Sequence, residues 1–224
     1  MPRENAIRTR KCLLDAASDI FCQKGFRDAT IAEISKRAGT NIAAVNYHFR
    51  NKEALYIEAW RCAFQESIKA HPLYGNLSKD APAEERLRAH ISATISRLAD
   101  KNNKEFWFVQ REFANPTGLL EEVMREEVTP LREKTENLVR ELLGPHVSHD
   151  DVFFCEMSIM NQCINPMVAG NRLPENGKNQ SGPPRIKDTK AYTEHVVKFS
   201  LAGIKAVRKN AEMKSVKKNK EKEE

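Results

Sequence analysis

Apolar positions recur at helical spacing from the start of the chain. Leu14, Ala17 and Phe21 stand at i, i+3 and i+7, the stripe that one face of a 3.6-residue helix presents, and Gly25 sits where a C-terminal cap belongs. This predicts a first helix over about 5–24. Thr30-Ile31-Ala32-Glu33 spells a capping box for a second helix, which stops at Gly39. Asn41 can cap a third, short helix with Ile42, Val45 and Phe49 on its inward face, and Asn51 can cap a fourth that runs to His71-Pro72. After a loop at 74–82, the pattern and its breakers predict helices over about 83–101 and 103–114. Three more follow: 116–143 with a kink at Pro130, 149–170 interrupted by Pro166, and 187–209. Period-two alternation never persists, so the expected fold is all-α, with about nine helices.

The breakers also suggest a domain plan. Residues 1–50 form a small helix-turn-helix module, with the two-helix unit at about 30–49, and residues 51–210 form a larger helical body. Asn171–Lys187, rich in Asn, Gly and Pro, reads as a mobile loop. Residues 211–224 lack apolar periodicity and read as a basic, disordered tail that adds either solubility or non-specific attraction to DNA.

Charge follows the same division. Residues 1–52 carry ten Lys/Arg against five Asp/Glu, and residues 205–224 carry eight against four, so the formal +6 of the 224-residue chain leaves the middle mildly acidic. Basic ends on an acidic body suit a polyanion such as nucleic acid, though a solvated surface accounts for a charge excess of this size equally well.

The third helix makes the polyanion reading specific. With one face turned inward, Ala43, Ala44, Asn46, Tyr47 and His48 point outward. Small residues let a backbone approach base edges, an alanine can touch a thymine methyl, and an asparagine can pair bidentately with adenine. Tyr47, His48 and Lys52 have the reach for phosphate oxygens, Thr30 stands at a helix N-terminus that suits a phosphate, and Asn41 opens the outward face of the third helix. Thr30, Asn41, Ala43, Ala44, Asn46, Tyr47, His48 and Lys52 are therefore the expected DNA contacts.

From Thr30-Ile31-Ala32-Glu33-Ile34-Ser35-Lys36-Arg37-Ala38-Gly39, through Asn41 to Phe49, to Asn51-Lys52-Glu53-Ala54-Leu55, the sequence resembles the TetR family of bacterial transcription regulators. It departs from the family's usual Tyr at Asn46 and usual Ser or Thr at Asn41, so base preference does not carry over. The body resembles the CecR subgroup through Asn41-Ile42-Ala43-Ala44, Arg111-Glu112 with Pro116-Thr117, and Val128 with Pro130-Leu131. These resemblances imply an Ω-like homodimer and a ligand pocket beyond about residue 60. They also imply a mechanism in which a bound ligand moves helix four and changes the separation of two recognition helices. The function expected is a ligand-responsive repressor on a pseudo-palindromic, double-stranded operator. The alternative is a helical adaptor that binds protein or RNA through its basic ends.

Other chemistries find little support. His146 and His149 lack the helical placement of a zinc-binding pair and read as cap residues. Cys155 and Cys163 lie eight apart on one helix, about 12 Å by helix rise, beyond disulfide reach within a chain. Neither a phosphate-binding loop nor a GxGxxG is present, so no enzyme, no metal and no cofactor are expected. Apolar runs such as Val152–Cys155 are too short to span a bilayer, and the charged N-terminus has no signal-peptide core; no membrane partner and a cytoplasmic location are expected.

The body concentrates Phe106, Trp107, Phe108 and Phe113, then Phe153, Phe154, Met157, Met160 and Met167. Each reads either as core or as the lining of an adaptable apolar pocket. Asn161, Gln162 and Asn165 can orient a ligand or bond between subunits. The expected pocket is Phe106, Trp107, Phe113, Met157, Met160 and Asn161, for a small hydrophobic effector. The last two helices are expected to close a four-helix dimer interface through Phe153, Met157, Met160, Ile164, Tyr192, Val196, Phe199 and Gly203.

Overall fold

The computed structural model describes residues 2–172 and 186–220. Among these, nine helices and no strand occur: α1 Pro2–Asp28, α2 Ile31–Arg37, α3 Ile42–Phe49, α4 Lys52–Ala70, α5 Ala83–Ala99, α6 Lys104–Ala114, α7 Glu121–Leu143, α8 His149–Arg172 and α9 Thr189–Lys220. The all-α expectation holds. No described helix is long and apolar enough to cross a membrane.

The chain packs as two compact units. The first takes residues up to Ala70 together with Asn102–Thr129, and the second takes His71–Lys101 with everything from Pro130. Packing therefore divides the chain elsewhere than at residue 50: α4, α6 and the start of α7 all belong with the helix-turn-helix.

In the first unit α1, α4 and α6 pack mutually, and α2 and α3 pack on α1 and on each other. An aromatic cluster joins the three longer helices. Phe21 meets Tyr56 edge-on at 4.9 Å between ring centroids, and Phe108 lies 5.4 Å from Tyr56. Burying three such rings is worth several kcal/mol. Polar ties fix the register. The Glu112 carboxylate accepts from the Tyr56 hydroxyl at 3.0 Å, from the Thr117 amide at 2.8 Å and from the Gly118 amide at 3.1 Å. Capturing those amides holds 115–120 as a turn, which is why α7 starts at Glu121 and not near 116. Arg111 donates to the Cys22 and Gln23 carbonyls, the free C-terminal acceptors of α1, just before Gly25 breaks that helix with φ 79°.

The second unit packs α5 against α8 and α9, which also touch each other. Leu87, Ile91 and Ile95 of α5, Leu138 and Val139 of α7, Val152 and Ile159 of α8, and Val196 and Val197 of α9 form its core. Arg86 donates from Nη2 to both Glu141 oxygens at 2.6 and 2.7 Å, and Arg88 pairs with Glu194.

The tail expectation needs correction. Residues 211–220 continue α9: the stretch contains no Gly or Pro, its Ala, Glu, Met and Lys favour helix, and Glu212 pairs with Arg208 one turn back. The rest of the tail, 221–224, lies outside the described residues. So does most of the expected loop, 173–185, while Asn171 and Arg172 close α8. All five cysteines are free, and burial pushes the Cys22 and Cys163 thiols up to about 12.

Candidate nucleic-acid interface

Local chemistry fixes each part of the two-helix unit. Thr30 caps α2: its hydroxyl accepts from the Glu33 amide at 3.2 Å while the Glu33 carboxylate takes the Thr30 amide at 3.2 Å. Glu33 also pairs with Lys24, and those hydrogen bonds hold its carboxyl below the usual carboxylate range. At the end of α2, Arg37 donates to Asp19 of α1 at 2.6 Å, and Lys104 of α6 reaches the same carboxylate at 2.8 Å. Partial burial pushes the Asp19 carboxyl up, but these two cations outweigh it and leave it lowered. Gly39, at φ 67°, turns the chain. Asn41 then caps α3, accepting the Ala44 amide at 2.9 Å.

Helix α3 has a narrow inner face. Val45 is fully buried and Phe49 nearly so, with the Arg10 guanidinium 5.1 Å above the Phe49 ring. Ile42 belongs elsewhere: it is 50% exposed, a correction to the inward face read from spacing. As the first residue of the helix it overhangs the edge of the module, one turn ahead of Val45. Asn41, Ala43, Asn46 and Tyr47 are exposed, Tyr47 at 80%, and Ala44 and His48 are half-buried. The expected contacts on α3 thus share one exposed surface with Ile42, which sequence reasoning missed because an apolar residue at i−3 from a core valine carries no sign of facing out.

The two flanking contacts are already engaged. The Thr30 hydroxyl is bound within its capping box, and the Lys52 ammonium donates to the Arg27 carbonyl at 3.3 Å and lies 4.5 Å from the Phe26 ring centre. Next to Lys52 is a second feature sequence reasoning missed. Arg50 adopts φ 70° and ψ −50°, the one positive φ at a non-glycine among the described residues.

The expected pocket residues do not form a common lining within either unit. Phe106 is buried in the first unit, where Trp107 is 40% and Phe113 71% exposed on the same helix. Met157, Met160 and Asn161 lie on α8 of the second unit, with Met157 45% exposed, Met160 half-buried and Asn161 exposed. Arg111 and Glu112, on the same helix as these aromatics, are bonded to α1 and α4. Among the described residues no cluster of three His, Cys, Asp or Glu groups suits a metal.

A short capped helix with a polar and small-residue face, carried by a second helix across a glycine turn, defines a helix-turn-helix protein. The tetR family of bacterial regulatory proteins matches residues 13–59, and the C-terminal domain of the HTH-type transcriptional dual regulator CecR matches residues 83–204. The chain belongs to the TetR family, with a CecR-type C-terminal domain. CecR of Shigella flexneri is 28% identical over 147 residues, covering 61% of this chain and 66% of that protein. The transcriptional regulator SrpR of Pseudomonas putida is 29% identical over 101 residues, 45% of each. The chain thus spans about half to two-thirds of the length of these relatives. A transcriptional regulator structure from Pseudomonas aeruginosa PAO1 has the same fold, with a TM-score of 0.67 at 17% identity over 96% of this chain and 95% of that one.

Proposed function

We propose that the protein is a ligand-responsive transcriptional repressor that binds a pseudo-palindromic DNA operator as a homodimer. The observation that carries this reading is the outer surface of α3: Ala43, Asn46 and Tyr47 stand exposed on a helix anchored only by Val45 and Phe49. A helix presented this way enters a major groove. Asn46 reads a base, Ala43 and Ala44 pack on base edges, and Tyr47, His48, Asn41, Thr30 and Lys52 meet or orient the phosphate backbone.

Homodimerisation is supported by what α8 and α9 leave uncovered. Phe154 and Phe199 are each 61% exposed, Met157 45%, and Phe153 and Ile164 36%. Phe154, Cys155, Phe199 and Gly203 line a shallow groove of about 250 Å³. A Cβ on Gly203 would meet nothing within 4 Å, so a mid-helix glycine leaves room that this chain does not fill. A second copy fills it. A small hydrophobic effector moves α4 and with it α3. Such a ligand shifts the equilibrium only by its differential affinity for the two states, so a hundredfold loss of operator binding requires about 3 kcal/mol.

Selection of bound duplexes from a random DNA pool tests the reading. Two-fold related half-sites about 34 Å apart should emerge, and log affinity should fall against log salt with a slope of roughly −4 to −8. Asn46→Ala should cost about 1 kcal/mol per half-site and relax a single base position. Enrichment of RNA, or of no sequence at all, would favour the adaptor reading and sink this one.

A further inference from the structure

The turn between α3 and α4 holds a cation where the backbone disfavours a side chain. The Asn51 amide donates to the Phe49 carbonyl at 2.8 Å, two residues apart, and the residue enclosed is Arg50 with φ 70° and ψ −50°. This is the γ-turn of the rare, strained hand, a conformation that glycine adopts readily and a Cβ resists. Arg50 also closes α3, its amide donating to the Asn46 carbonyl at 3.1 Å. The side chain is exposed, and no hydrogen bond or ion pair reaches its guanidinium among the described residues.

Four nearby cations are differently placed. Arg10 pairs with Glu58, Lys24 with Glu33 and Arg37 with Asp19, and Lys52 donates to the Arg27 carbonyl. The Arg50 side chain is not tied to its own chain by any hydrogen bond or ion pair among the described residues, yet it occupies a position where glycine would be less strained. Strain retained at an exposed residue marks a function outside the fold. One turn along from Asn46 and three residues past Tyr47, this guanidinium stands at the C-terminal end of the exposed α3 surface.

We propose that Arg50 is a phosphate contact, one per protomer, that clamps the DNA backbone at the C-terminal end of the recognition helix and adds a cation beside Lys52, whose ammonium also holds the Arg27 carbonyl. The inference rests on the DNA-binding reading above. A guanidinium on a phosphate adds affinity without reading sequence, and it suits that role through its planar donor fork.

The test uses the full-length protein with a labelled duplex carrying the selected sequence and a scrambled duplex of equal length. Arg50→Gly should melt about 2–4 °C higher, because the strain is gone. It should bind both duplexes more weakly, and its log–log salt slope should be shallower by about two for the dimer. Between 50 and 200 mM salt the wild-type protein should therefore lose about tenfold more affinity than the variant. Arg50→Lys should restore most of the slope without the gain in melting temperature. Wild-type protein that binds neither duplex overturns both readings. An Arg50→Gly variant with unchanged affinity and slope overturns this one alone, as does a loss confined to the selected sequence, which would make Arg50 a base contact.

Discussion

Replacing Phe154 and Phe199 together by glutamate is expected to give a folded protein that sediments as a monomer at micromolar concentration and binds operator more than a hundredfold more weakly. Both rings are 61% exposed in the single chain, so their removal leaves no cavity and the charges they admit face water. The fold should therefore survive, with unchanged helical circular dichroism. In the proposed dimer the same positions lie inside the interface, because a two-fold interface presents one self-complementary patch twice. Four buried glutamates would then face one another without partners, a cost that an interface of about 2,000 Å² does not recover. Operator binding suffers because the second half-site contact stops being intramolecular. Effective concentrations in the millimolar range make such coupling worth 10²–10⁴ in affinity. A double variant that stays dimeric, or a monomer that keeps wild-type operator affinity, contradicts the proposed assembly.

This surface was only half visible in the sequence, and α8 shows why. The helix carries two apolar stripes. The stripe with the larger side chains, Phe153, Met157, Met160 and Ile164, is the one the spacing assigns to a dimer interface, and the stripe that packs into the chain is Val152, Glu156, Ile159 and Cys163. A charged residue in the middle of the packed stripe hides it from any pattern search. Burial pushes the Glu156 carboxyl up, and Arg132, 3.6 Å away, offsets part of that cost. A period of 3.6 identifies a helix, but it does not distinguish the face that meets the chain's own core from the face left over for another molecule.

The two-helix unit was far more legible because its signals are local. Thr30 with Glu33, Asn41 with Ala44, and Gly39 each act within four residues, and each is found as the sequence spells it. Long-range ties left no such trace. Nothing near Arg111 or Glu112 announces that one reaches the carbonyls ending α1 and the other the Tyr56 hydroxyl, 56 positions away. Those ties placed α6 with the helix-turn-helix. Arg50 escaped for the opposite reason: its turn is local, but the residue that would advertise a positive φ is glycine, and the chain has arginine there.

Acid should destabilise the second unit well above the range where carboxylates titrate, and His90 of α5 is the expected cause. The imidazole is 4% exposed, and its Nε2 lies 3.2 Å from the Thr135 hydroxyl of α7. That hydroxyl donates to the Leu131 carbonyl at 3.1 Å, so it accepts from Nε2–H, which assigns the neutral tautomer. Nδ1 is buried without a partner. Burial, with Arg97 adding repulsion, pushes the group down to about 4 from its usual 6.5. Above pH 6.5 both folded and unfolded chains hold a neutral imidazole, and the group contributes no pH dependence. Below it the unfolded chain takes up the proton first, so stability falls continuously until the folded imidazole also titrates near 4. The loss over that window is about 3 kcal/mol. Asp19, Glu33, Asp151 and Glu194, all held below their ordinary values, lose stability in a separate window, from about pH 4 downward. Urea unfolding of wild type and His90→Leu between pH 7 and 4.5 isolates the histidine. The wild-type curve should drop by most of those 3 kcal/mol while the variant stays nearly level, because leucine fills a similar volume and removes both the titration and the unpaired nitrogen. Parallel curves for the two proteins would mean that His90 keeps an ordinary proton affinity in the folded state.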